Sequence, residues 1–164
     1  MNTTWFYDDQ TGRYVVKHAR ILFPNFSGDE QDYNPAGKRN FRLQVPQDLA
    51  DELISRGVNV KEREPRDESE DTTYHIKVGV YRDADIRLLS GNIMRSLSDD
   101  TFDEVDNEYR KGHIINGDLG IEFHVSKNTR VMTSAPYARL DTAVIPIRKS
   151  RLLDDYSDYE DEIN

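Results

Sequence analysis

Histidine is the side chain best suited to acid–base chemistry near neutral pH, and the sequence has four: His18, His75, His113 and His124. No two of them have the four-residue helical spacing of a zinc protease. Glu122 and His124 would share one face of a strand and could bind a metal, but the pattern supplies no third ligand. We therefore interpret the histidines as strand or surface residues.

Other catalytic patterns are equally incomplete. A metal-dependent nuclease needs clustered carboxylates and a lysine near the phosphate. Asp67, Glu68 and Lys77 follow that order loosely, but His75 stands where a second acid is needed. Residues 117–120 lack the remaining glycine and the lysine of a phosphate-binding loop. The absence of cysteine excludes thiolate nucleophiles, disulfides and cysteine-ligated zinc. The sequence therefore predicts neither an enzyme nor a cofactor.

Cations and exposed aromatic rings are the groups that bind a single-stranded nucleic acid, through its phosphates and its bases. Nine tyrosines are many for a chain of 164 residues. The candidate contact residues, all on or beside predicted strands, are Lys38, Arg39, Arg42, Lys61, Arg63, Lys77, Tyr81, Arg130, Tyr137 and Arg139. The plainer alternative is that they belong to ordinary solvated sheet faces.

The net charge of −9 argues against nucleic acid at first sight, but the acids are unevenly placed. Six of the 31 acids follow Arg151, and residues 62–71 and 99–108 hold six each. All 22 bases lie at or before Arg151, so residues 1–153 carry a net charge of only −3. A basic face is therefore compatible with the composition. An acidic inhibitor that mimics nucleic acid remains the alternative from another class.

Most of the elements that must position these residues are strands. Residues 39–45 and 72–81 alternate cleanly, which places Arg42 and Lys77 on solvent faces. Further strands are predicted at 13–23, 58–63, 86–89, 114–115, 119–125, 131–133 and 140–147. Pro146 suggests that the last of these is an edge strand.

One helix is clearly predicted, at residues 47–56, and Gly57 follows it as the C-terminal stop. Its apolar stripe consists of Leu49, Ala50, Leu53 and Ile54. Residues 99–107 form at most an acidic turn or weak helix. Short strands without regular βα alternation predict a mainly β fold. We expect an antiparallel barrel like the oligonucleotide-binding OB-fold, or a small sandwich, with one short helix.

Composition divides the chain into three parts. We expect an N-terminal extension at 1–12, an OB-like domain at 13–151 and a disordered acidic tail at 152–164. No apolar run approaches the roughly 18 residues of a membrane span, and the N-terminus lacks a signal sequence. We therefore expect a soluble cytoplasmic protein that does not contact membranes.

Several segments together resemble a family of phage single-stranded DNA-binding proteins with an OB-fold. The resemblance covers most of residues 19–147 and is carried by Pro24-Asn25-Phe26-Ser27-Gly28, Tyr33-Asn34-Pro35-Ala36-Gly37-Lys38-Arg39-Asn40-Phe41, Leu49-Ala50, Leu53, Gly57-Val58-Asn59-Val60-Lys61, Pro65-Arg66-Asp67-Glu68, Tyr74-His75-Ile76-Lys77-Val78 and Ile115-Asn116-Gly117-Asp118-Leu119. It implies a non-catalytic protein that protects single strands in replication or recombination.

The chain departs from this family at positions where members tend to carry aromatic residues. Val58 stands in place of a tryptophan, and Arg139 and Val144 in place of tyrosines. Binding should therefore depend more on charge, or on the remaining tyrosines, Tyr33, Tyr74, Tyr81 and Tyr137.

The resemblance also implies a role for the tail, which would recruit replication or recombination proteins. The residues concerned are Asp154, Asp155, Tyr156, Asp158, Tyr159, Glu160, Asp161 and Glu162. Because six tethered acids have a high effective concentration beside a cationic groove, they should also compete with DNA for it. Oligomeric state stays open, with a homodimer as one alternative, as does the choice between DNA and RNA. A structural virion component is a further alternative.

Overall fold

In the computed structural model of the chain, residues 2–30, 36–65, 67, 71–127 and 135–148 are described. The elements in chain order are β1 (Thr4–Asp8), β2 (Arg13–Asn25), β3 (Asn40–Val45), α1 (Gln47–Ser55), β4 (Val60–Arg63), β5 (Thr73–Gly79), β6 (Asp85–Ser90), β7 (Ile93–Ser96), a 3₁₀ turn (Asp99–Thr101), α2 (Asp103–Arg110), β8 (Leu119–Ser126) and β9 (Tyr137–Pro146). The strand predicted at 131–133 and the acidic tail lie outside these residues. Within them, no helix is long and apolar enough to cross a membrane.

Five strands close into a ring in the order β2, β3, β5, β9, β8. Within this ring the long strand β2 pairs with β8 through its first half and with β3 through its second. The ring closes where β5 runs parallel to β9, at Val78↔Ala138 and Gly79↔Arg139. The predicted mainly β, OB-like barrel is confirmed, and the parallel β5–β9 and β6–β9 contacts are its departures from antiparallel pairing.

The alternation of apolar residues decides which face of each strand points inward. On β3, Phe41, Leu43 and Val45 are buried, as predicted, while the residues between them face outward. Their partners Ile76 and Val78 on β5 are buried as well. The polar residues of these two strands therefore share one outer face of the barrel.

The first residues of the chain add a strand to this barrel. We expect an extension at 1–12, and within it the structure places β1, which forms an antiparallel hairpin with β2. The N–H of Gly12 donates to the carbonyl of Asp8 (2.8 Å), and Gly12 has a φ of +72°, which glycine adopts without strain. The rings of Trp5 and Tyr7 lie 6.0 and 4.8 Å from that of Tyr14. The hairpin is thus anchored on the core.

Two interpretations of the sequence are wrong. β9 is not an edge strand, because it pairs with β8 on one side and with β5 and β6 on the other. Pro146 is tolerated because it ends β9 beyond the Gly120↔Val144 pair, so its missing N–H removes no bond to β8. Ile54 does not belong to the buried stripe of α1, since it is 55% exposed.

A second helix, α2, forms where the sequence predicts only an acidic turn or weak helix. Phe102, directly before α2, and Val105, within it, belong to the core, and Asp106 is buried with them. The carboxylate of Asp106 accepts hydrogen bonds from the backbone N–H groups of Phe26 and Ser27, both at 2.9 Å. This side chain therefore joins α2 to the end of β2.

The segment that follows β2 is closed at its base by short contacts. The N–H of Gly37 donates to the carbonyl of Gly28 (2.7 Å). The side-chain oxygen of Asn25 accepts from the N–H groups of Gly28 and Asp29, both at 3.1 Å. Both ends of this segment are therefore fixed to the barrel.

Replacing Asp106 should destabilise the fold. Asp106→Ala leaves two N–H groups without an acceptor in a buried place, and we expect it to lower the free energy of unfolding by about 2–4 kcal/mol. Asp106→Asn keeps one acceptor and should cost less. Urea titration followed by circular dichroism measures both. The control is Asp51→Asn on the exposed side of α1, and a cost for Asp106→Ala no larger than for this control would refute the role of Asp106.

Candidate nucleic-acid interface

The outer side of β3, β4 and β5 carries four cations and a histidine, which we call the basic face: Arg42, Lys61, Arg63, Lys77 and His75. Arg42 lies directly across from Lys77, and His75 lies across from Lys61. Arg63 is opposite Thr73 at the end of β4. The register of three strands thus brings four of the predicted contact residues, and one histidine, onto one surface.

The cations of the basic face have no ion-pair partner among the described residues. Arg42 and Lys77 carry like charges at opposed positions, which is unfavourable in an isolated sheet. Partial burial lowers the pKa of Arg42. An anion placed between these cations would reduce their mutual repulsion.

The positive charges of the basic face also affect the pKa of His75. Burial lowers its pKa, and the charges of Arg42, Arg63 and Lys61 lower it further. Its Nδ1 atom is buried and has no hydrogen-bond partner in the described part of the chain. Burial and, to a smaller extent, the surrounding cations therefore both disfavour the protonated imidazole.

A groove of about 360 Å³ continues the basic face toward the closure of the barrel. Its walls come from the start of β3, the end of β5, the segment after α1 and the segment that enters β9. Six predicted contact residues line it: Lys38, Arg39, Arg42, Lys77, Tyr81 and Tyr137. The structure therefore brings together cations and aromatic rings from strands that are distant along the chain.

Tyr81 and Arg139 form a stacked pair at the edge of this groove. The guanidinium carbon of Arg139 lies 4.0 Å from the centre of the Tyr81 ring, and its Nη2 donates to the carboxylate of Asp83 at 3.1 Å. A Cβ on Gly79 would lie 3.1 Å from the ring of Tyr81, so the glycine lets the ring lie against β5. Burial and the neighbouring Tyr137 hydroxyl raise the pKa of Tyr81.

Arg39 is occupied within the chain. It forms an ion pair with Asp99, and the hydrogen bond from Arg39 is the main cause that lowers the pKa of Asp99. Its guanidinium carbon also lies 5.3 Å from the centre of the Phe102 ring. Arg39 therefore joins the start of β3 to the 3₁₀ turn, and only its remaining surface faces the groove.

The other candidates have different positions. Arg130, Tyr33 and the eight tail residues lie outside the described residues. Tyr74 packs against the core and is only partly exposed.

Arg20 and Leu22, which the sequence does not single out, line a second groove of about 530 Å³ together with Arg63. The imperfect alternation of β2 was the one sign that its outer face could not be assigned from pattern alone.

Two residues of the catalytic alternatives have other contacts in the described part of the chain. His124 is bound to Asp141 (2.9 Å), and Arg13 lies 3.6 Å from Glu122. In the ranges that the structure describes, no three histidines or carboxylates come together as they would around a metal ion.

Comparison with known proteins assigns the chain to a family. A family model described as "Putative phage ssDNA-binding domain" matches residues 8–91, just over half of the chain. No curated protein gave a significant match. Two solved structures of the single-stranded DNA-binding protein of bacteriophage Enc34 are similar, one a C-terminal truncation and one in complex with ssDNA. They are 15% and 14% identical, with TM-scores of 0.48 and 0.49, and in each case the match covers 86% of this chain and 89% of the other.

The family match begins in β1, runs through β3, β4 and β5, and ends just after β6, so it includes the strands that carry the whole basic face. The chain belongs to this family of phage single-stranded DNA-binding domains.

Proposed function

We propose that this protein binds single-stranded DNA along the basic face and the adjoining groove, and that it protects single strands during phage replication or recombination without catalysing a reaction. The observation that carries the proposal is the opposed pair Arg42 and Lys77, which have no carboxylate partner among the described residues and lie beside Tyr81 and Tyr137. Cations contact the phosphates, and the rings offer surfaces for bases.

The position of this surface in the barrel supports the proposal. OB-folds bind oligonucleotides on the second and third strands of the ring and on the loops beside them. In this chain those strands are β3 and β5, and the groove is bordered by Lys38, which follows β2, and by Pro136, which precedes β9. A mimic of nucleic acid would need an acidic face here instead, so the basic face argues against that alternative.

The acidic tail would have two roles in this function. Residues Asp154, Asp155, Tyr156, Asp158, Tyr159, Glu160, Asp161 and Glu162 would recruit replication or recombination proteins. Their six negative charges would also compete with DNA for the basic face, because both are anions attracted to the same cations. Protein partners would then gain access to the tail when DNA displaces it.

Removing the central cations should weaken binding. We expect Arg42→Ala with Lys77→Ala to reduce the affinity for a labelled oligo-dT at least tenfold at low salt. The slope of log K against log salt should fall in magnitude by about 1.4, the value for two lost phosphate contacts. Fluorescence anisotropy at several salt concentrations measures both quantities.

The matched control removes two lysines from other surfaces, Lys17→Ala with Lys111→Ala, and should change the slope little. Equal losses for both double variants would show that only net charge matters. Absence of binding by the unaltered protein at low and physiological salt would refute the proposed function itself.

Removing residues 154–164 should raise the affinity for oligo-dT, most strongly at low salt, where the attraction between tail and basic face is least screened. A second variant keeps the tail length and replaces its six acids by the corresponding amides. If charge is the cause, both variants should bind more tightly to the same extent. A gain for the deletion alone would point to steric blocking instead.

Binding should also depend on pH through His75. Burial and the neighbouring cations lower the pKa of His75, and phosphates would neutralise those cations, so the pKa should be higher in the complex than in the free protein. A group with a higher pKa in the complex takes up a proton on binding, so affinity should rise as the pH falls from about 8 to about 5. His75→Gln should flatten this rise and His124→Gln should leave it in place. A rise that persists in His75→Gln would assign it to another group.

A further inference from the structure

We propose that Phe23 is a base-stacking residue for the bound single strand, set beside the basic face by a β-bulge. This inference rests on the proposed function and extends its binding site from β3 and β5 across to β2.

The backbone of Phe23 is strained. Its φ is +48°, in the left-handed region that bulky side chains rarely adopt. The other residue of this kind, His18, has local partners, since its carbonyl accepts from Thr3 (2.7 Å) and its ring lies 3.6 Å from Asp118. No hydrogen bond, ion pair or aromatic contact among the described residues holds the side chain of Phe23.

Phe23 is also 69% exposed, more than any other aromatic side chain in the described part of the chain. Exposure of a large apolar ring forgoes the stabilisation of burial, and the left-handed backbone adds a further cost. The fold therefore gains nothing visible from a phenylalanine at this position, whereas a ligand with a flat apolar face would.

The bulge fixes where this ring lies. Leu22 pairs with Arg42, and the next paired residue of β2 is Asn25, opposite Asn40, so the bulge falls between them. Because Phe23 is exposed, its ring lies outside the barrel. It follows directly after Leu22 on a strand that is about 4.8 Å from β3. Phe23 is thus a neighbour of the basic face, and bulges are a known means of redirecting a side chain next to a functional site.

A path for the strand exists on both sides of this position. The groove with Lys77 and Tyr81 reaches Arg42 from one end of β3. The second groove is lined by Leu22, Arg20 and Arg63, together with the acids Glu64 and Asp71. Phe23 lies between the levels of Asn40 and Leu22 in the register, so a strand that runs from the first groove at Asn40 toward Leu22 and Arg20 would pass it, with Arg42 beside its phosphates and the ring beneath a base.

The test separates stacking from a structural role. Phe23→Gly removes the ring and accepts the left-handed backbone, so the temperature of unfolding should stay the same or rise. Affinity for an oligo-dT should fall about 5- to 150-fold, as expected for one stacked base. Phe6→Ala, which removes an exposed ring from β1, is the matched control and should bind like the unaltered protein.

A second variant gives a direct signal. Phe23→Trp should retain the affinity, and oligo-dT should quench its added fluorescence relative to the unaltered protein, whose one tryptophan is Trp5. Unchanged affinity in Phe23→Gly, or no additional quenching in Phe23→Trp, overturns the inference while the proposed function stands. A lower unfolding temperature in Phe23→Gly assigns Phe23 a structural role and also overturns it. Absence of oligo-dT binding by the unaltered protein overturns both.

Discussion

The parallel contact between β5 and β9 is the interaction on which the barrel and the candidate site both depend. In the described part of the chain it consists of Val78↔Ala138 and Gly79↔Arg139. The inward members, Val78 and Ala138, are buried and close the core. On the outside, Gly79 leaves room for the ring of Tyr81, and Arg139 stacks on that ring. The contact that seals the interior therefore also assembles the aromatic end of the groove.

The basic face shows how binding and stability oppose one another in this domain. Arg42 and Lys77 are opposed like charges, and the neighbouring cations further lower the pKa of His75, which burial already lowers. None of these interactions favours the folded state, whereas a bound anion would relieve all of them together. Burial of apolar side chains offsets this repulsion. β3 and β5 present their cations on the outer face and Phe41 and Ile76 on the inner face, where both are fully buried.

How far the sequence could predict the structure depended on the regularity of each strand. β3 and β5 alternate cleanly, so their core residues and the outward positions of Arg42 and Lys77 followed from a period of two. β2 contains bulges, which change the face a residue occupies without a distinct local signal, so the exposed position of Phe23 could not be predicted. The ion pair of Arg39 with Asp99 joins residues 60 positions apart, and no local pattern specifies such a contact. The strand pattern left an OB-like barrel and a small sandwich open, and the family resemblance favoured the barrel.

The closed base of the segment after β2 has a consequence for how such domains diversify. The Gly37–Gly28 hydrogen bond and the Asn25 side chain fix both ends of that segment, and Asp106 ties its beginning to α2. Insertions or deletions between Gly28 and Gly37 would therefore leave the strand register untouched. The length and composition of this segment, which borders the groove, can therefore change during evolution without changes in the residues that the barrel needs to fold.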